Sequence, residues 1–280
     1  MPLQTPPSAP ATHRFAKGLQ ALAMLATVWG MGQVAAQVAP LPASAAAPTT
    51  TAVAPVDIST VEPRPQPNGL AAGWQQGAFM EIFVRAYKDT NGDGIGDLKG
   101  VTQSLDYLKD LGIKGIWLMP ITTNADGDHG YATTDFRDID PAYGTLADFD
   151  ELIAQAHQRG IGVVMDYVIN HSAVSHPLFV SAQTGPASPF YDWFVWEQTA
   201  PTGWDIWGKN PWTQTPQGAY FGTFGPHMPD FNFRNPAVLA YHQRSLRFWL
   251  NRGLDGYRLD AVPHLVENNA KDWNDQPESR

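Results

Sequence analysis

Two residues near the end of the chain carry the most chemistry. Arg258 and Asp260 stand two apart within Gly256-Tyr257-Arg258-Leu259-Asp260-Ala261-Val262-Pro263-His264, at the end of a predicted strand. Side chains at that spacing share one face of a strand. An arginine beside an aspartate holds the acid ionised through charge and hydrogen bonds. That is the state a carboxylate nucleophile needs at neutral pH. The plain alternative is a structural salt bridge at a strand end, since ion-pair networks arrange charges in the same way. A second strand, Asp166-Tyr167-Val168-Ile169-Asn170-His171, also ends in polar residues and favours a shared site. If Asp260 is a nucleophile, its partner acid is expected beyond residue 280.

Two further segments suit binding. Asp89-Thr90-Asn91-Gly92-Asp93-Gly94-Ile95-Gly96-Asp97 offers oxygens at alternate positions, at Asp89, Asn91, Asp93, Ile95 and Asp97. Hard cations such as Ca²⁺ take such ligands, and the glycines permit the tight turn. The twelfth position is Gly100 rather than a bidentate glutamate, so the reading is a calcium loop outside an EF-hand. A polar turn without metal is the alternative. Asp128-His129-Gly130-Tyr131 follows the second predicted strand, and a tyrosine there could stack on a sugar ring. A turn with a half-buried tyrosine fits equally well. Trp193, Trp196, Trp204, Trp207 and Trp212 crowd a later stretch, either as its core, the favoured reading, or as a sugar-binding wall.

These residues need elements to hold them. Three segments repeat a helix, a glycine and an apolar strand, with Gly112, Gly160 and Gly253 at the left-handed position that ends a helix. Val101, Leu105, Leu108 and Leu111 keep helical spacing. So do Phe149, Leu152, Ile153 and Ala156, with Thr145 as N-cap. Asn235-Pro236 opens a helix carrying Leu239, Leu246, Trp249 and Leu250. Strand–helix alternation predicts parallel strands with helical crossovers. The Gly160–Gly253 interval is nearly twice the Gly112–Gly160 interval. The surplus, between His171 and Phe233, lacks clear helices and reads as an insertion leaving the third strand. Polar strand ends plus a long insertion predict a TIM (β/α)8 barrel active face, with about four βα units present. A doubly wound sheet is weaker, because no glycine-rich phosphate turn follows the first strand.

Composition sets the outer limits. The chain has 280 residues, 43% hydrophobic and with ten tryptophans, enough for a sizeable core. Its net charge of −9 and lack of basic clusters argue against nucleic acid. The absence of cysteine excludes disulfides and thiolate chemistry. His13, Arg14 and Lys17 precede an apolar run from Leu19 to Trp29, and Val34-Ala35-Ala36 fits a cleavage site. A secretory signal over 1–36 is expected, with a secreted or periplasmic product and no membrane contact after cleavage. An uncleaved anchor is the alternative. Residues 37–72, rich in Ala, Pro and Thr, read as a linker.

Taken together, the blocks Gly115-Ile116-Trp117-Leu118-Met119-Pro120, Asp166 to His171, His227-Met228-Pro229-Asp230-Phe231-Asn232 and Gly256 to His264 resemble the α-amylase family of glycoside hydrolases, family thirteen. The last but one of these blocks is similar to members between the oligo-1,6-glucosidases and the neopullulanases. The resemblance implies a catalytic barrel over 73–170 and 233–280, with a small domain B over 171–232. It implies retaining cleavage of α-glucosidic bonds in starch or maltooligosaccharides. Asp260 is then the nucleophile and Arg258 its partner. Tyr131, His171, His264 and Asp128 bind substrate, and Asp166 supports the site. Asn170, Asp230 and the carbonyl of His264 become Ca²⁺ ligands, and Asp89 to Asp97 resembles a second metal loop of oligo-1,6-glucosidase-like members. Pro263 replaces a lysine found in many α-amylases and points toward trehalose synthase-like transferases or isomerases as one alternative. The family's acid/base glutamate follows strand five, so the 280 residues are expected to be a truncated fragment, nearly inactive alone. A non-catalytic glucan-binding or half-barrel partner that self-associates is the other alternative.

Overall fold

The computed structural model describes residues 56–65 and 67–279. The expected signal over 1–36 and its cleavage site lie outside the described residues. Four parallel strands form the main sheet: β1 (Phe79–Ile82), β2 (Gly115–Leu118), β3 (Gly162–Val168) and, last in the chain, β7 (Gly256–Asp260). Their order follows the sequence, β1-β2-β3-β7. Helices α1 (Leu98–Gln103), α2 (Leu105–Asp110), α3 (Leu146–Gln158) and α5 (Pro236–Leu250) make the crossovers. Sequential parallel strands with helices between successive strands are the opening units of a (β/α)8 barrel, as expected.

Register fixes which side chains share a face. Glu81, Trp117 and Val164 are neighbours across the sheet, and Val164 pairs with Gly256. Two residues further on, Asp166 pairs with Arg258, and then Val168 with Asp260. These positions have one parity and so point to one face. Ile116, Leu118, Val163, Met165 and Tyr167 have the other parity and are buried. One face is thus apolar and covered except at Leu259 on the last strand, while the other carries the polar residues.

The helix signals translate well. Thr145 forms a full capping box with Asp148, and Asn235 caps α5 with Pro236 in its first turn. Gly112, Gly160 and Gly253 have φ of +88°, +70° and +95°, the left-handed conformation that an L side chain resists. Two apolar stripes differ from expectation. Leu111 is exposed, because the first crossover breaks at Ser104 into two short helices. In α5, Leu239 and Leu250 are exposed, whereas Val238, Tyr241, His242, Ser245 and Trp249 face inward. Polar partners explain the rotation. His242 Nδ1 meets the Tyr167 hydroxyl at 3.0 Å, and Ser245 Oγ accepts from Arg137 Nε at 3.1 Å.

Between β3 and α5 the chain builds a three-stranded antiparallel sheet, ordered β4 (Trp196–Glu197), β6 (Gly218–Phe221), β5 (Trp212–Thr215). It also contains a short helix that the sequence did not suggest, α4 (Pro177–Ala182), capped by His176 with Pro177 behind it. Its core is aromatic. Phe179 stacks on Trp196 at 5.7 Å and meets Phe194 edge-on at 4.8 Å. Residues 56–65, within the expected linker, are mostly exposed but tied to the barrel by polar contacts. Asp57 pairs with the buried Arg137, and Asn251 donates to the Glu62 carbonyl. Polar side chains of α5 and of the loop before α3 hold this strap, an arrangement that composition does not reveal.

Candidate functional site

The site is built at the C-terminal ends of β3 and β7. Arg258 lies at the centre. Its Nη1 donates to both oxygens of Asp166, at 3.3 and 3.1 Å, and to Asp260 Oδ1. The first contact follows from sheet register, because Asp166 and Arg258 are paired neighbours on one face. The second follows from the two-residue spacing along β7. The Tyr131 hydroxyl donates to Asp166 Oδ2 at 3.3 Å, so a loop after β2 closes over the pair. Beneath the guanidinium lies the Trp117 ring, 5.4 Å from its carbon, an arrangement that favours a cation. Trp117 was not singled out from sequence, although its parity with Arg258 would have found it.

Burial divides the two acids. The Asp166 side chain is fully buried, whereas Asp260 retains 18% exposure and Arg258 41%. Burial pushes the Asp166 carboxyl up to about 6, with Arg258 pulling against it and the Asp260 charge adding to it. Asp166 is thus a held, enclosed group, and Asp260 is the acid that presents itself to solvent. Burial also raises the Tyr131 phenol, reinforced by the charges of Asp166 and Asp260, so it stays a donor. After Asp260 the chain turns sharply through Ala261, whose φ of +55° ends the strand at the acid.

His171 is near but committed. Its Nε2 is 3.2 Å from the Tyr131 carbonyl, and its Nδ1 is 3.4 Å from the Asn170 amide. Burial lowers its pKa to about 4, so it is neutral. A sugar hydroxyl would have to share or displace the Tyr131 carbonyl. Phe224, which sequence reading passed over, packs 5.1 Å from the His171 ring. His264 lies on the same rim, with Phe224 at 5.5 Å and Trp273 stacked at 5.3 Å. Asp128 is not brought to the cluster. It is exposed and pairs with His129 Nδ1 at 2.7 Å.

The two expected cation places differ in how their ligands are engaged. Among the described residues, no group of three or more His, Cys, Asp or Glu side chains could hold a metal ion. The loop from Asp89 to Asp97 is folded by its own side chains. Asp89 accepts from the backbone of Gly92 and Gly94, and Asp93 accepts from that of Ile95. Asp97 instead caps α1 through Gly100 N at 2.7 Å and binds Thr90, so it first serves the helix. Asn91, Asp93 and Asp89 stay exposed, with lone pairs to spare.

The second place fits an oxygen-seeking ion better. Asn170 Oδ1 is buried without a hydrogen-bond partner. Asp230, also buried, accepts from Thr223 at 2.6 Å, and burial pushes it up to about 7. Glu267, unassigned from sequence, is buried too and is pushed up to about 8, by burial and then by the Asp230 charge. Buried carboxyls and an orphaned amide oxygen are hard donors whose enclosure a cation would relieve.

Comparison with known proteins shows the family of the chain. The family model for the alpha amylase catalytic domain matches residues 81–280. Alpha-amylase 3 of Dictyoglomus thermophilum is 40% identical over 205 residues, which is 73% of this chain and 40% of that protein. The salivary alpha-glucosidase of Anopheles gambiae is 39% identical over 221 residues, 73% of this chain and 37% of that one. The solved trehalose-6-phosphate hydrolase of Bacillus licheniformis superposes with a TM-score of 0.69 at 32% identity, over 74% of this chain and 40% of that one. The alpha-amylase from H. orenii gives 0.63 at 44% identity, over 68% and 41%. The chain therefore spans about 40% of the length of such relatives. With four strands in barrel order and an arginine joining the acids at their ends, the chain belongs to the alpha-amylase catalytic-domain family.

Proposed function

We infer that this chain carries the nucleophile half of a retaining α-glucosidic bond-cleaving site. The observation that supports it most is the linked set Asp166–Arg258–Asp260, with only Asp260 open to solvent. In this reading Asp260 attacks the anomeric carbon of a bound glucosyl unit. The glycosidic bond breaks, its electron pair leaves with the departing oxygen, and a glycosyl ester forms on Asp260. Arg258 hydrogen-bonds and aims that carboxylate, while Asp166 fixes Arg258. Tyr131 and His171 form the floor for the sugar, with His264 as an outer binding group. The acid that protonates the leaving oxygen is assigned to the portion of its relatives' length that the chain does not span.

Calcium belongs to the same reading. Asn170, Asp230 and the His264 carbonyl would hold one ion, tying the insertion to the barrel, and Asp89, Asn91, Asp93, Ile95 and Asp97 would hold another. Such ions supply structural cross-linking rather than a chemical step. Secretion or export to the periplasm is proposed from the basic and apolar leader. Starch-derived maltooligosaccharides are the proposed substrates, with the glucosyl unit passed to water or to a second sugar.

An activated donor isolates the proposed step. A 5-fluoro-α-glucosyl fluoride carries a leaving group that needs no acid. Incubation should add one fluoroglucosyl mass to the peptide containing Asp260, and Asp260→Asn should abolish the adduct. An adduct elsewhere, or none on folded protein, would sink the assignment.

A further inference from the structure

Arg258 is the hub of the site, yet its hydrogen bonds leave from only one of its nitrogens. Nη1 donates to both oxygens of Asp166 and to Asp260 Oδ1. Nε and Nη2 have no hydrogen-bond partner among the described residues, and the side chain is 41% exposed. An arginine fork takes its geometric control from two parallel bonds made by different nitrogens. Held at one nitrogen, the guanidinium can tip toward water about that atom unless another group supports its face.

Trp117 supplies that support. It pairs across the sheet with Val164, two residues before Asp166 on the same face. Val164 in turn pairs with Gly256, which puts no side chain on that face below Arg258. Across β3, the Trp117 ring lies 5.4 Å from the guanidinium carbon. Packing does not explain why this residue is a tryptophan. Its Nε1 is buried without a hydrogen-bond partner among the described residues. A buried unpaired N–H counts against indole and in favour of phenylalanine. What indole offers over phenylalanine is the stronger negative face, the best of the aromatic side chains for a cation.

We propose that Trp117 is a positioning residue for Arg258, its indole face keeping the guanidinium level so that Nη1 stays aimed at Asp260. The role rests on the α-glucan reading above and names the group that holds the nucleophile's partner in place. A purely structural tryptophan would act on stability and leave the arginine where it is.

The test uses the whole chain with Trp117→Leu, which removes the aromatic face, and Trp117→Phe, which keeps a weaker one without the unpaired N–H. Each is melted, labelled with 5-fluoro-α-glucosyl fluoride, and followed by NMR of isotope-labelled arginine side chains, with Arg258→Lys assigning the Arg258 Nε–H signal. Trp117→Phe should melt at or above the wild type yet form the Asp260 adduct about threefold more slowly, and Trp117→Leu about tenfold more slowly. The Arg258 signal should lose its ring-current shift in Trp117→Leu and keep part of it in Trp117→Phe. If the wild type forms the adduct and Trp117→Leu matches its rate, or leaves the Arg258 signal unmoved, this inference alone falls. Should Trp117→Leu not fold, the rate and signal of Trp117→Phe decide in the same way. If the folded wild type forms no adduct, the inference falls together with the α-glucan reading.

Discussion

Replacing the buried Tyr167–His242 pair by Phe and Leu should remove part of the protein's acid sensitivity. The Tyr167 hydroxyl and His242 Nδ1 are 3.0 Å apart and fully enclosed. Burial, reinforced by the neighbouring His176, lowers the His242 pKa from 6.5 to about 3. In the folded state His242 therefore refuses a proton at pH 5 that the unfolded chain accepts. Stability falls wherever the unfolded state binds more protons, so it is full above about pH 6.5 and declines as pH drops toward 3. With those two values, the loss from this one residue at pH 5 is about 2 kcal/mol, or RT ln(1 + 10^1.5). His171 and His176 act in the same direction. The raised carboxyls of Asp166, Asp230 and Glu267 act in the other, since the folded state takes up their protons first. Only a comparison of variants isolates His242. Urea unfolding of wild type and of the double variant Tyr167→Phe, His242→Leu would be followed at pH 7.5 and pH 5. At pH 7.5 the two should agree within ~1 kcal/mol, because both partners are replaced together. At pH 5 the variant should gain about 2 kcal/mol relative to wild type. The single variant His242→Leu should lose ~1–3 kcal/mol at pH 7.5, because it strands the Tyr167 hydroxyl. A wild type–variant difference unchanged between the two pH values would refute the argument.

Other expectations follow from single contacts. Arg258→Leu leaves the enclosed Asp166 carboxyl unpaired; its cost, discounted for the arginine's exposure, should be about 2 kcal/mol in urea unfolding. The same change should also lose the fluoroglucosyl adduct on Asp260. Asp57→Ala removes the ion-pair partner of Arg137, whose side chain is only 2% exposed, and should lower stability by ~1 kcal/mol with a visible drop in melting temperature. Asp93→Ala should weaken Ca²⁺ binding to the loop several-fold by calorimetry; equal binding would remove the loop from the metal assignment.

Much of the architecture was legible because it is local. Gly112, Gly160 and Gly253 end helices through backbone conformations that only glycine adopts easily, and Thr145 and Asn235 start them by capping. Apolar runs after each glycine specified parallel strands. The Arg258–Asp260 contact was visible as a two-residue spacing on one strand. Other features depended on partners far along the chain. The α5 face was misread because His242 and Ser245 are buried by Tyr167 and Arg137, residues that no helical period names. Residues 56–65 looked like linker because their order comes from hydrogen bonds to residues some 190 positions away.

The site shows the same division. Sequence alone determined the types: an arginine and an aspartate on one strand end, a second aspartate on another, and a tyrosine in the loop between. Tertiary structure decided their relations. Register placed Asp166 beside Arg258, burial separated the enclosed acid from the exposed one, and the Tyr131 carbonyl occupied His171. It left Asp128 in solvent, added Trp117 beneath the guanidinium, and brought Glu267 within range of the Asp230 charge. The reason is physical. Backbone conformation and strand parity are set by neighbours in sequence, whereas desolvation and charge interaction depend on distances in space, which only the folded chain fixes.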